Sequence, residues 1–72
     1  MSLFDCPNIE FLPMLEAQRL VRHTFPEAHS WIVLVAPEQW QVQPKFGYKE
    51  NAIGEGKSEL EAWRDAARRV VN

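Results

Sequence analysis

The clearest pattern of hydrophobic and polar positions lies in the last third of the chain, where apolar residues recur at the spacing of one helix face. Just before them, Ser58 and Glu61 have the S-x-x-E spacing of a capping box, in which the serine oxygen accepts from the amide three residues later. The pattern therefore predicts an amphipathic helix from Ser58 to the C-terminus. Its apolar stripe comprises Leu60, Trp63, Ala66, Ala67, Val70 and Val71.

A second amphipathic pattern predicts a helix near the N-terminus, from about residue 13 to 24. Pro13 suits the first turn of a helix, where its missing N–H costs nothing. Pro26 ends the helix, because the residue before a proline is pushed out of the helical region. Segment 7–10 offers an alternative, earlier start. The apolar face is marked by Met14, Ala17, Val21 and Thr24 or Phe25.

The middle of the chain predicts β structure. Segment 30–36 is rich in β-branched and aromatic residues, and segment 40–48 alternates between polar and apolar positions. After a polar turn at 49–51, segment 52–55 is a candidate third strand. We therefore expect an α+β fold in the order α-β-β-(β)-α, with a small two- or three-stranded antiparallel meander flanked by an N-terminal and a C-terminal helix. Residues 1–72 form one compact domain.

The register of the hairpin follows from a two-residue loop at Pro37 and Glu38. Successive residues then fall on opposite faces. The predicted pairs are Ala36 with Gln39, Val35 with Trp40, Val33 with Val42 and Trp31 with Pro44. The face under the helices holds Trp31, Val33, Val35, Trp40, Val42 and Phe46. The outer face holds Ile32, Leu34, Gln41, Gln43 and Lys45.

The outer face of this predicted sheet carries two apolar side chains, Ile32 and Leu34, which point away from the helices. Contiguous exposed apolar surface usually marks an interaction site. Alternatively, the apolar N-terminal segment folds back and covers this face through Phe4, Phe11 or Leu12. The sequence leaves both interpretations open.

Composition narrows the classes of function. The chain has 72 residues and is 46% hydrophobic, which is typical of a folded domain. A domain of this size buries only about 60% of its unfolded surface, so self-association is a reasonable way to bury more. The net charge of −2 lacks the basic excess that nucleic-acid binders usually carry.

Cys6 is the only cysteine, so an intramolecular disulfide and a four-cysteine zinc site are excluded. The N-terminus has no basic region followed by an apolar run, as a secretory signal would. No stretch approaches the roughly 20 apolar residues of a membrane span. We therefore expect a cytoplasmic protein with no membrane contact.

The sequence from Gly54 to Ser58, GEGKS, invites comparison with a phosphate-binding loop. Such a loop needs G-x-x-x-x-G-K-[ST], so that backbone amides wrap the phosphates. Asn51 stands where the first glycine is required. We therefore expect the glycines to serve a turn and Ser58 to serve as the helix cap, with no cofactor.

Catalysis has little support in the sequence. Nucleophilic chemistry would pair Cys6 or a serine with His23 or His29, but no activating pattern surrounds them. Asp65 is placed to pair with Arg68 and Arg69 on its own helix. We predict no catalytic residue, no metal site and no small-molecule substrate.

One resemblance lies in the sequence IGEGKSELEAWRDAA, within residues 52–72. It resembles the end of many small phage- and prophage-encoded accessory proteins, in which a strand ending in I-G-x-G leads into a helix containing x-E-A-W-x-x-A. The resemblance implies an accessory or host-directed protein that acts by contact. It brings no catalytic residue to this chain.

A second resemblance combines the α-β-β-β-α order with the pattern GEGKSxxxAxxxAA, and is similar to the double-stranded-RNA-binding domain. That family has paired lysines after the serine, which hold phosphates, whereas this sequence has Glu59 and Leu60. Segment 36–38, APE, stands where the family has a Gly-Pro and histidine loop. The resemblance implies an RNA-binding alternative.

The leading hypothesis is a non-catalytic protein-interaction module, an accessory or regulatory protein that forms a homodimer or binds a larger protein. Its alternative is an RNA-binding module. The candidate protein interface comprises Phe4, Phe11, Ile32, Leu34, Gln41 and Gln43. The candidate RNA contacts are Lys57, Arg64, Arg68 and Arg69.

Overall fold

The computed structural model describes residues 11–45 and 52–71. It confirms the predicted α+β fold and shows the third strand, so the order is α-β-β-β-α. The three strands form one antiparallel sheet in the order β1-β2-β3. The elements are α1 (Met14–Thr24), β1 (His29–Val35), β2 (Glu38–Gln43), β3 (Gly54–Gly56) and α2 (Glu59–Val71).

Helix α1 has the predicted extent. Pro13 precedes it in an extended conformation, one position earlier than expected, and its carbonyl accepts from the Ala17 amide at 3.0 Å. At the other end, the Phe25 amide donates to the Val21 carbonyl at 2.8 Å, immediately before Pro26. Ala17 and Val21 are fully buried, which confirms the predicted face.

Helix α2 begins with half of the predicted capping box. The Glu61 amide donates to Ser58 Oγ at 3.2 Å, as expected. The Glu61 carboxylate accepts from the amide of Lys57, also at 3.2 Å, where a standard capping box would use the Ser58 amide. The cap therefore fixes the backbone of Lys57, two residues before the helix, as well as the first turn.

The buried face of α2 differs from the predicted stripe near both ends of the helix. Trp63, Ala66 and Ala67 are fully buried, but so is Ala62, which the sequence pattern did not single out. Val71 is 44% exposed. Apart from Trp63, the buried residues of α2 are alanines, and their small side chains let the helix lie close to the sheet.

Two glycines of β3 explain this close approach. A Cβ atom added to Gly54 would lie 2.5 Å from both the Ala62 carbonyl oxygen and the Ala66 nitrogen. At Gly56 it would lie 2.6 Å from the Cβ of Glu61. The expectation that these glycines serve a turn is therefore wrong: they are strand residues that let α2 pack directly on the backbone of β3.

The predicted hairpin register is also wrong. The loop is Ala36–Pro37, joined by a cis peptide bond, and Val35 pairs with Glu38. The loop thus begins one residue earlier than predicted. A bulge between Ile32 and Leu34 shifts the remaining pairs further, so that Ile32 lies opposite Trp40.

The bulge redistributes side chains between the two faces of the sheet. Ser30 pairs with Val42, and Ile32 with Trp40, on the side of α2. The prediction that Ile32 points away from the helices is therefore wrong. Trp31 pairs with Gln41 on the outer face, where its Nε1 donates to Gln41 Oε1 at 3.3 Å. Phe46, predicted on the inner face, lies outside the described residues.

Candidate functional site

The distal half of β1 is the most unusual surface of the described residues. We call residues 32–35 the apolar edge. Ile32 and Val33 are each 37% exposed, Leu34 is 49% exposed and Val35 is 79% exposed. β1 contains no Asp, Glu, Lys or Arg, and of the described strands only β2 pairs with it. An edge strand that is long, apolar and uncharged is a template for pairing with another chain.

The apolar edge is exposed because of where α2 lies. The helix packs mainly on β3 and on α1, and touches β1 much less. The far end of the β1–β2 hairpin therefore extends past the helix layer. The bulge at Val33 places Leu34 on the outer face and Val35 on the helix side, opposite Gln39 and Glu38 respectively. The apolar edge thus presents side chains on both faces of the sheet.

The start of β1, by contrast, is held firmly against the helices. Ser30 Oγ donates to the Glu59 carboxylate at 2.5 Å, which joins β1 to the first turn of α2. Just before β1, the Ala28 carbonyl accepts from Arg22 Nε at 3.1 Å. The Arg22 guanidinium also lies 5.0 Å from the ring centroid of the buried Trp63. The start of β1 is therefore fixed to both helices, while the apolar edge extends beyond them.

The other edge of the sheet, β3 (Gly54–Gly56), is closed. It has only three residues, and α2 lies directly over its two glycines. The amide of Glu55 donates to Asp65 Oδ2 at 3.0 Å. A backbone donor that could pair with an incoming strand is therefore already bonded to a side chain of α2.

Five of the six predicted interface residues lie in the described part of the chain, and they do not form one exposed surface. Phe4 lies outside the described residues, and Phe11 is 77% exposed just before α1. Ile32 and Leu34 are exposed, but on opposite faces of the sheet. Gln41 is half-buried beneath its bond to Trp31. Gln43 lies on the same outer face as Gln41 but is only 2% exposed, so it is not a surface contact.

Sequence reasoning missed Val33 and Val35 as part of this surface. The predicted register placed both on the face under the helices; Val35 does lie on that side, but α2 does not reach it. The available signal was the run of four apolar residues at 32–35 followed by a proline turn. A run without alternation or charge means either a doubly covered strand or an open one.

The four candidate RNA contacts are largely occupied by contacts within the domain. Arg64 Nε donates to the Leu12 carbonyl at 2.8 Å and so ties α2 to the segment before α1. Asp65 pairs with Arg68 at 3.3 Å and with Arg69 at 3.0 Å, as predicted. Lys57 is exposed. A groove of about 290 Å³ is lined by Glu55, Glu61, Arg64, Asp65 and Arg68.

Of the candidate catalytic and metal-binding residues, the structure describes the two histidines. His23 is exposed on α1 and His29 is half-buried at the start of β1, while Cys6 lies outside the described residues. Within residues 11–45 and 52–71, no group of three or more His, Cys, Asp or Glu side chains is placed to hold a metal ion. In the same ranges, neither helix has the length and apolar character needed to cross a bilayer.

Comparisons with known proteins leave the site to be interpreted from its own geometry. No family model matches the chain, and neither a curated protein nor a solved structure does. The resemblances to phage accessory proteins and to double-stranded-RNA-binding domains stay predictions.

Proposed function

We propose that this chain is a non-catalytic protein-interaction module that binds another polypeptide through its apolar edge. The observation that supports this function is the exposure of four successive apolar residues on an uncharged edge strand. Soluble domains usually protect such an edge with charge, proline or a covering element. Within the described residues, the distal half of β1 has neither a charge nor a covering element, and only the bulge at Val33 and Pro37 after the strand restrict pairing, whereas α2 covers β3.

The mode of binding that fits this surface is strand addition. A partner strand pairs with the backbone of β1, and main-chain hydrogen bonds supply affinity. Its side chains alternate between the faces, so that some meet Leu34 on the outer face and others meet Ile32 and Val35 on the helix side. Burial of these apolar side chains adds roughly 25 cal/mol for each Å² removed from water.

The proposed role is that of an accessory or regulatory protein. The resemblance of segment 53–67 to the tails of phage-encoded accessory proteins favours a protein that acts by contact. The firm attachment of the start of β1, through Ser30 and Arg22, gives such a contact a rigid base. A preorganised strand loses less conformational entropy on binding than a mobile one.

The RNA-binding alternative has less support. Arg68 and Arg69 share the carboxylate of Asp65, and Arg64 is bonded to a backbone carbonyl. Glu55 and Glu61 line the same groove as Arg64 and Arg68. Phosphate binding draws its affinity from clustered positive charge, which these carboxylates dilute.

A capture experiment with two matched variants tests the proposed function. Leu34→Asp places a charge in the apolar edge, whereas Leu15→Asp places one on α1, where the leucine is exposed to a similar degree, 59% against 49%. Immobilised chain is exposed both to soluble copies of itself and to a lysate of the native host. We expect a polypeptide that is retained by the wild type and by Leu15→Asp and lost with Leu34→Asp. Equal retention by all three would contradict the proposal.

A further inference from the structure

We draw no further inference here: the strongest candidate, the apolar edge at residues 32–35 as a contact between copies of this chain, belongs to the site already described, and nothing in the described residues shows what covers it.

Discussion

The two edges of this three-stranded sheet are opposites. β3 is short, carries two glycines beneath α2, and has the Glu55 amide bonded to Asp65. β1 has seven residues, and its distal half exposes four apolar side chains without a charge. The unpaired backbone N–H and C=O groups of an edge strand can pair with another chain unless they are covered or bonded. Among the described residues, the helix layer blocks β3, and no element covers the distal half of β1.

The difference between the two edges follows from one packing contact, that of α2 on β3. Because Gly54 and Gly56 have no side chains, α2 settles directly on β3. A thirteen-residue helix centred there does not reach the far end of the hairpin. The same contact that closes one edge therefore exposes the other. We expect changes at β3 to affect stability, and changes at residues 32–35 to affect association.

The largest effect is expected from Gly54→Ala. The new methyl group would meet backbone atoms of Ala62 and Ala66 at 2.5 Å, which cannot move without shifting α2. We expect a loss of about 3 kcal/mol in the free energy of unfolding, at the upper end of overpacking effects. Urea denaturation measures it. Glu55→Ala is the control: its side chain is exposed and its backbone bond to Asp65 is retained, so a change within about 0.5 kcal/mol is expected.

An intermediate effect is expected from Asp65→Ala, which removes the acceptor that closes β3 and the partner of two arginines. The arginines are half-exposed, so most of the expected loss of about 1–2 kcal/mol comes from the bond to the Glu55 amide. Asp65→Asn keeps an oxygen acceptor and should lose less. Hydrogen exchange of the Glu55 amide should accelerate in Asp65→Ala; unchanged exchange would show that the carboxylate does not protect this edge.

The smallest effect is expected from Ser30→Ala, which removes the hydroxyl that donates to Glu59. A hydrogen bond to a partly exposed carboxylate contributes about 1 kcal/mol. Thermal unfolding measures the loss, with Glu59→Gln as a variant that keeps an acceptor. Because this bond holds only the start of β1, amide exchange at residues 32–35 should stay unchanged. Faster exchange there would mean that the two halves of β1 are not independent.

Local patterns in the sequence predicted the elements well. The two helices, the hairpin and the candidate third strand all have the expected order. Ser58 and Glu61 are in contact as the capping box requires, and Asp65 is paired with Arg68 and Arg69. These features depend on residues a few positions apart, whose geometry is set by the backbone of one helix or one turn.

The candidate site was predicted only in outline. The apolar character of segment 30–36 indicated a contact surface, but the faces of Trp31 and Ile32 were exchanged, and Gln43, expected to be exposed on the outer face, is buried there. The cause is the bulge at Val33 together with a loop that starts at Ala36. A bulge leaves no signature in a segment that is apolar at every position, as 31–35 is, so its position could not be inferred.

The sequence by itself determined the helices, the strands, their order and the cap of α2, because periodicity and capping act over a few residues. Only the tertiary structure decided that Gly54 and Gly56 bring α2 against the backbone of β3, and that the far half of β1 is left uncovered. Those outcomes depend on how two distant segments pack together. The role of a glycine in a strand can be recognised only when the element that packs against its backbone, here α2, is known.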